Sequence, residues 1–268
     1  MNKRFIILIL YFILILSTVC CIENNQTQGN IINREVIYQF STIDGLLEGV
    51  YDGNLTFREL KEHGDYGIGT FDSLDGEMIQ VQGKFYQIKS DGVAYPVNED
   101  QKTPFAVVSF FDRDDYLYID QEVNYDKLTK LIDSKLPTKN IFYLILIKGN
   151  FEYVKTRSVP IQSKPYVPLA KAVEGQKIFE FNDVNGTLVG FRSPDYVGSI
   201  NVPGYHFHFL TADEKAGGHV LDLTIKNQNV EIDYTSDLFL DSPENLEYLR
   251  YTSEKERNDE FEVVEKSN

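Results

Sequence analysis

From Glu35 onward the apolar residues recur mostly at every second position, and turn residues cut the chain into short strand-like segments. Residues 37–40 (IYQF) predict a first strand, 77–82 and 84–88 a hairpin about Gly83, and 105–111 a buried strand. Residues 141–147 form a further apolar strand that continues past Gly149 into 151–157, where Phe151, Tyr153, Lys155 and Arg157 share a face. Residues 177–181 and 187–191 flank Asn185-Gly186, a dipeptide that predicts a hairpin turn. Residues 201–210 and 219–225 read as the next strand pair. Helical spacing is rarer. Residues 43–51 fit a short helix, Thr56-Phe57-Arg58-Glu59 is a capping box that opens another ending at Gly64, and 168–173 fit one or two turns. Residues 125–136 carry Leu128, Leu131 and Ile132 at helical spacing and stop at Pro137. Few helices among many strands predict an α+β fold of two β-sheet-based lobes, 35–150 and 151–268, which together make one unit.

The chain starts differently. Lys3 and Arg4 precede an almost unbroken apolar run over 5–19, then Cys20, Cys21 and a polar linker over 23–34. Residues 1–22 therefore read as a signal peptide or N-terminal membrane anchor, and the mature chain as extracytoplasmic, either secreted or tethered. Cys20 or Cys21 would suit lipid attachment, but Ser17-Thr18-Val19 lacks the small residue usual before a modified cysteine, so a plain anchor stays open. Both cysteines lie in this segment, so no disulfide or thiolate is available from Ile22 onward, and any metal site there must use His, Asp or Glu.

Composition sharpens the reading. Hydrophobic residues make up 42% and aromatics 13%, which is globular rather than disordered, and the 17 Tyr and 18 Phe favour strands. The 26 basic residues less Lys3 and Arg4 leave 24 against 41 acidic, a net of −17. That balance argues against nucleic acid and against an anionic lipid surface, so the only membrane contact expected is through residues 1–22.

Three of the four histidines lie in Gly204-Tyr205-His206-Phe207-His208-Phe209-Leu210 and Gly217-Gly218-His219-Val220. His206 and His208 differ by two, so a strand presents both on one face. Residues 211–218 fold the chain back, and His219 opens the partner strand beside them. Alternation along 219–225 makes the histidine face the buried one. Three neutral imidazoles converging on a β-hairpin of the C-terminal lobe suit zinc with a position left open for substrate, and imidazole also suits Fe, Ni and Cu. There is no Rossmann fingerprint or P-loop in the sequence, so no organic cofactor is expected.

Cupins share a G-x-H-x-H core, but a Glu normally follows within a few residues and the last His lies farther away. Here Glu214 comes late and His219 follows only 11 residues after His208. The segment Gly67-Ile68-Gly69-Thr70-Phe71-Asp72-Ser73-Leu74-Asp75-Gly76-Glu77, taken with the histidine motif, resembles the acetolactate decarboxylases over about 40–265. The resemblance implies a metal bound by His206, His208 and His219. It implies active-site roles for Glu77, for Arg157 and for a C-terminal glutamate, matched by Glu265 with Glu262 or Glu260 as alternatives. It also implies a pocket position for Thr70 and a homodimer joined through its sheets. The implied reaction converts (S)-2-acetolactate, a small 2-hydroxy-3-oxo acid, to (R)-acetoin and CO2 through an enediolate. Arg157 would hold the carboxylate, and Glu77 or Glu265 would deliver the proton. An exported cupin-like metal-binding protein without this activity is the competing expectation.

Overall fold

The computed structural model describes residues 33–252, 260 and 263–265. The leader expected over 1–22 lies outside the described residues, as does the linker except for Asn33 and Arg34. Among the described residues no helix is long and apolar enough to cross a membrane.

The strands are β1 (Val36–Phe40), β2 (Leu55–Thr56), β3 (Tyr66–Thr70), β4 (Glu77–Val81), β5 (Lys84–Ile88), β6 (Ala94–Pro96), β7 (Lys102–Thr103), β8 (Ala106–Ser109), β9 (Asp115–Ile119), β10 (Val123–Asn124), β11 (Phe142–Ser158), β12 (Lys177–Ser193), β13 (Gly204–Thr211), β14 (Gly217–Ile225), β15 (Gln228–Thr235) and β16 (Asp237–Asp241). The helices are α1 (Ile43–Leu47), α2 (Phe57–Leu60), α3 (Tyr125–Lys135), α4 (Leu169–Ala172) and α5 (Leu246–Arg250). A fold of mostly β-sheet with few short helices matches the expectation. Capping is as expected too. Thr56 and Glu59 form the reciprocal capping box of α2, and Asn124 caps α3 through Lys127 N–H.

One sheet runs in the order β16-β1-β8-β3-β4-β5-β6, and a second runs β10-β14-β13-β12-β11-β15-β9. In the second, β14 also pairs with β11, so β11, β12, β13 and β14 close into a ring. The largest core lies between the sheets. Ile37, Ile68, Ile79 and Val107 face Phe142, Leu144, Leu146 and Val189 across it. The opposite face of β11 supplies Tyr143, Ile145 and Ile147 to a separate core under α3. Burial on both faces explains why 142–147 is a continuous apolar run rather than an alternating one. Each such side chain contributes roughly 1.5–3 kcal/mol on leaving water.

Two expectations need correction. Residue 150 does not separate the lobes, because β11 passes through it without a break and the earlier β9 and β10 already belong to the second sheet. The change of sheet falls between β8 and β9, and β16 returns to pair in parallel with β1. Asn185-Gly186 is also not a turn. Both residues lie inside β12, paired with Asn150 and Gly149 of β11. Gly186 is required there by close approach, since a Cβ would run into the ring of Phe209.

Candidate active site

The histidines come together on two adjacent strands. His208 of β13 lies directly opposite His219 of β14, and His206 shares the face of His208 two residues earlier. Gly217 and Gly218 allow this approach. A Cβ on Gly217 would meet the carbonyl of Phe209, and Gly218 has φ of +137° against the carbonyl of Arg157. His206 Nε2 lies 3.2 Å from His208 Nε2 and 3.1 Å from His219 Nδ1. Three nitrogens each at about 2.0–2.1 Å from one tetrahedral ion would stand about 3.3 Å apart. His208 Nδ1 lies 2.7 Å from the carbonyl of Met78. A carbonyl only accepts, so Nδ1 carries the proton and Nε2 is left with its lone pair free. Burial pushes all three imidazoles below their ordinary pKa, His208 to about 3 and the other two well below, and the nearby Arg157 adds to this in each case. Neutral imidazoles with converging lone pairs fit a divalent cation.

The other expected residues surround the same point. Glu77 opens β4 after the Leu74-Asp75-Gly76 turn, in which Gly76 takes φ of +87°. A β-bulge at Glu152, between Phe151 and Tyr153, re-aims β11 against β14. The bulge breaks the shared face expected over 151–157, because Phe151 and Val154 both pack into the core under α3 and Tyr153, Lys155 and Arg157 lie on the other face. Arg157 Nη1 donates to Glu77 Oε1 at 3.0 Å, and Nη2 donates to the carbonyl of Val264 at 3.0 Å. Its Nε is buried with no partner among the described residues.

Glu265 is the C-terminal carboxylate that arrives, with Oε2 3.6 Å from His219 Nε2 and 3.9 Å from His206 Nε2. Glu260 does not line the cavity, and Glu262 lies outside the described residues. Glu77 Oε2 stands 3.7 Å from His208 Nε2. Burial raises the pKa of both carboxyls. Arg157 opposes this in each, a backbone N–H of Val159 also opposes it at Glu77, and Glu265 ends at about 7. Thr70 is buried at the cavity and donates its hydroxyl to the carbonyl of Gly76 at 2.7 Å.

These groups frame one cavity of about 40 Å3. Its other wall is apolar, formed by Ile43, Leu46, Leu74, Phe105, Val159 and Leu169. Sequence reasoning missed this wall, together with Val264 and the Met78 carbonyl. The carbonyl leaves no trace in the sequence. Val264 was marked only by being an apolar residue within an acidic tail.

A family model described as alpha-acetolactate decarboxylase matches residues 37–254. The alpha-acetolactate decarboxylase of Methanosarcina mazei is 49% identical over 232 residues, covering 87% of this chain and 81% of that protein. The Bacillus subtilis protein of the same name is 44% identical over 221 residues, covering 78% of this chain and 87% of that protein. The crystal structure of alpha-acetolactate decarboxylase from Bacillus subtilis superimposes with a TM-score of 0.84 at 41% identity, covering 87% of this chain and all of that one. A cupin-like reading is not favoured. With its identities, coverage and shared fold, the chain belongs to the alpha-acetolactate decarboxylase family.

Proposed function

We propose that the chain converts (S)-2-acetolactate to (R)-acetoin and CO2 in this cavity, with zinc held by His206, His208 and His219. The observation that carries the reading is the convergence of three neutral imidazoles, a buried arginine and two buried carboxyls on one point in a chain of this family. When bound, the metal supplies a Lewis acid for the ketone and hydroxyl oxygens of the substrate. The chain supplies the rest. Arg157 holds the substrate carboxylate, and its unpartnered Nε–H leaves one donor free for an anion. As the carbon–carbon bond breaks, CO2 leaves and its electron pair moves into the neighbouring ketone to give the enediolate. The fixed charge of Arg157 stabilises that developing negative charge. Glu77 or Glu265, whose carboxyl pKa burial raises, gives a proton to one face of the carbon that lost CO2. The apolar wall keeps water from competing for that carbon.

The test is purified protein with racemic acetolactate, with and without a chelator, reading CO2 and the acetoin enantiomers. One enantiomer of acetoin formed, and lost on chelation, supports the reading. Metal-loaded protein that forms no acetoin rejects it. The same reading includes an exported homodimer tethered or secreted through residues 1–22. Fractionation that finds the full chain in the cytoplasm, or sedimentation as a monomer at micromolar concentration, removes that part.

A further inference from the structure

Among the described residues, the C-terminal segment reaches the site through one buried side chain. Residues 263–265 are helical. Val263 is 46% exposed, whereas Val264 is 2% exposed and packs into the core between the sheets with Leu169 and Ile43. The backbone of the same residue is also engaged, since its carbonyl accepts from Arg157 Nη2 at 3.0 Å. The next residue is Glu265, at the histidines. Nothing in the charge pattern would bring this segment inward. It is acidic, and burying the Glu265 carboxyl beside Glu77 is unfavourable by itself. The Val264 side chain supplies an apolar term that offsets this cost.

We propose that Val264 is a positioning residue: its side chain, seated in the inter-sheet core, places Glu265 beside the histidines and holds Arg157 Nη2 on the Val264 carbonyl. Val264 touches neither metal nor reacting atoms in this scheme and acts through Glu265 and Arg157. The seat fixes the register of the segment. A shift by one residue would put Val263 or Glu265 into the apolar slot and withdraw the carboxyl from the cavity. The inference rests on the decarboxylase reading for its kinetic consequences but not for the seating itself.

The experiment compares Val264→Asp, Val264→Ile, Glu265→Ala and the Val264→Asp/Glu265→Ala double variant with the parent chain. Amide hydrogen exchange of the C-terminal peptide reads the seating without turnover. Protection should be lost in Val264→Asp and kept in Val264→Ile, and unchanged protection in Val264→Asp overturns the proposal whether or not the chain is a decarboxylase. In the kinetic arm, Val264→Asp should lower kcat at least about 10-fold with metal content unchanged, and Val264→Ile should stay within about threefold of the parent. The double variant should lose less than the product of the two single losses, because both changes withdraw the same Glu265 carboxyl. A double variant whose loss is the product of the two single losses assigns Val264 a merely structural role.

Discussion

Arg157 and Glu77, 80 residues apart in the chain, form an ion pair at 3.0 Å with side chains 5% and 8% exposed. The pair joins the two sheets at the floor of the cavity, with Glu77 on β4 and Arg157 on β11. Its energetics are those of a buried pair. Removing one partner leaves the other uncompensated, which costs about 3–5 kcal/mol.

Arg157→Ala should therefore affect two measurements. Loss of charge stabilisation lowers kcat on the order of 100- to 1000-fold, by analogy with deleting one oxyanion donor. Thermal unfolding should shift downward as well, and less so at acid pH, where Glu77 takes up a proton and no longer needs its partner. Arg157→Lys should recover little kcat, because a point charge cannot serve Glu77, the Val264 carbonyl and the substrate together. Wild-type kcat in Arg157→Ala would put the arginine outside the reaction.

Glu77→Gln separates proton delivery from charge stabilisation. The amide can still accept from Arg157 and is close in shape, so metal content should stay at the parent level. If Glu77 is the acid, CO2 release continues while acetoin loses optical purity, since water then protonates either face. Full rate with full stereochemistry in Glu77→Gln would transfer the role to Glu265.

Metal binding should depend unequally on the histidines. His208→Ala removes a ligand whose orientation is fixed by the Met78 carbonyl, and should lose the ion. Stripping the wild type with a chelator exposes a second effect. Burial holds the imidazoles neutral in the folded apo chain, with pKa values below 6.5, while in the unfolded chain they titrate normally. The unfolded state then binds more protons below pH 6.5, so apo stability falls as pH drops through that value. An apo melting temperature that stays flat from pH 8 to 5 would contradict the burial of the three rings.

The histidine site was readable in the sequence because period two on a strand and a short return leave little freedom for residues 206, 208 and 219. Glu77 and Thr70 were reached through a contiguous motif. Arg157 was found by resemblance, but its orientation was not, because a β-bulge changes which face a residue occupies without altering the local residue pattern. The sheet boundary was placed 40 residues too late for a related reason. A strand apolar on both faces, as in 142–147, reads the same whether it ends one layer or runs through two. Asn185-Gly186 misled because a glycine demanded by the Phe209 ring looks identical to one demanded by a turn.

Asp233 lies away from the cavity and gives the sharpest test of how burial sets the stability of this fold. It sits on β15 at 1% exposure, opposite Leu144, and Oδ2 accepts from the backbone N–H of Asp112 at 3.0 Å. Glu35 and Asp114 share the same corner, with carboxylate oxygens of all three within 4.8 Å of one another. Burial first, then the charges of Glu35, Asp114 and Asp112, raise its pKa to about 7, against the single opposing bond from Asp112. The native state therefore keeps a proton that the unfolded chain has already lost above pH 4. Between about pH 4 and 7 the native state binds more protons, so this residue's contribution weakens as pH rises and levels off above 7. Asp233→Asn keeps the acceptor for Asp112 N–H and removes the charge. It should melt at the parent temperature near pH 5 and several degrees higher near pH 8, equivalent to on the order of 1–2 kcal/mol. A variant less stable than the parent at pH 8 would contradict a charge cost at Asp233.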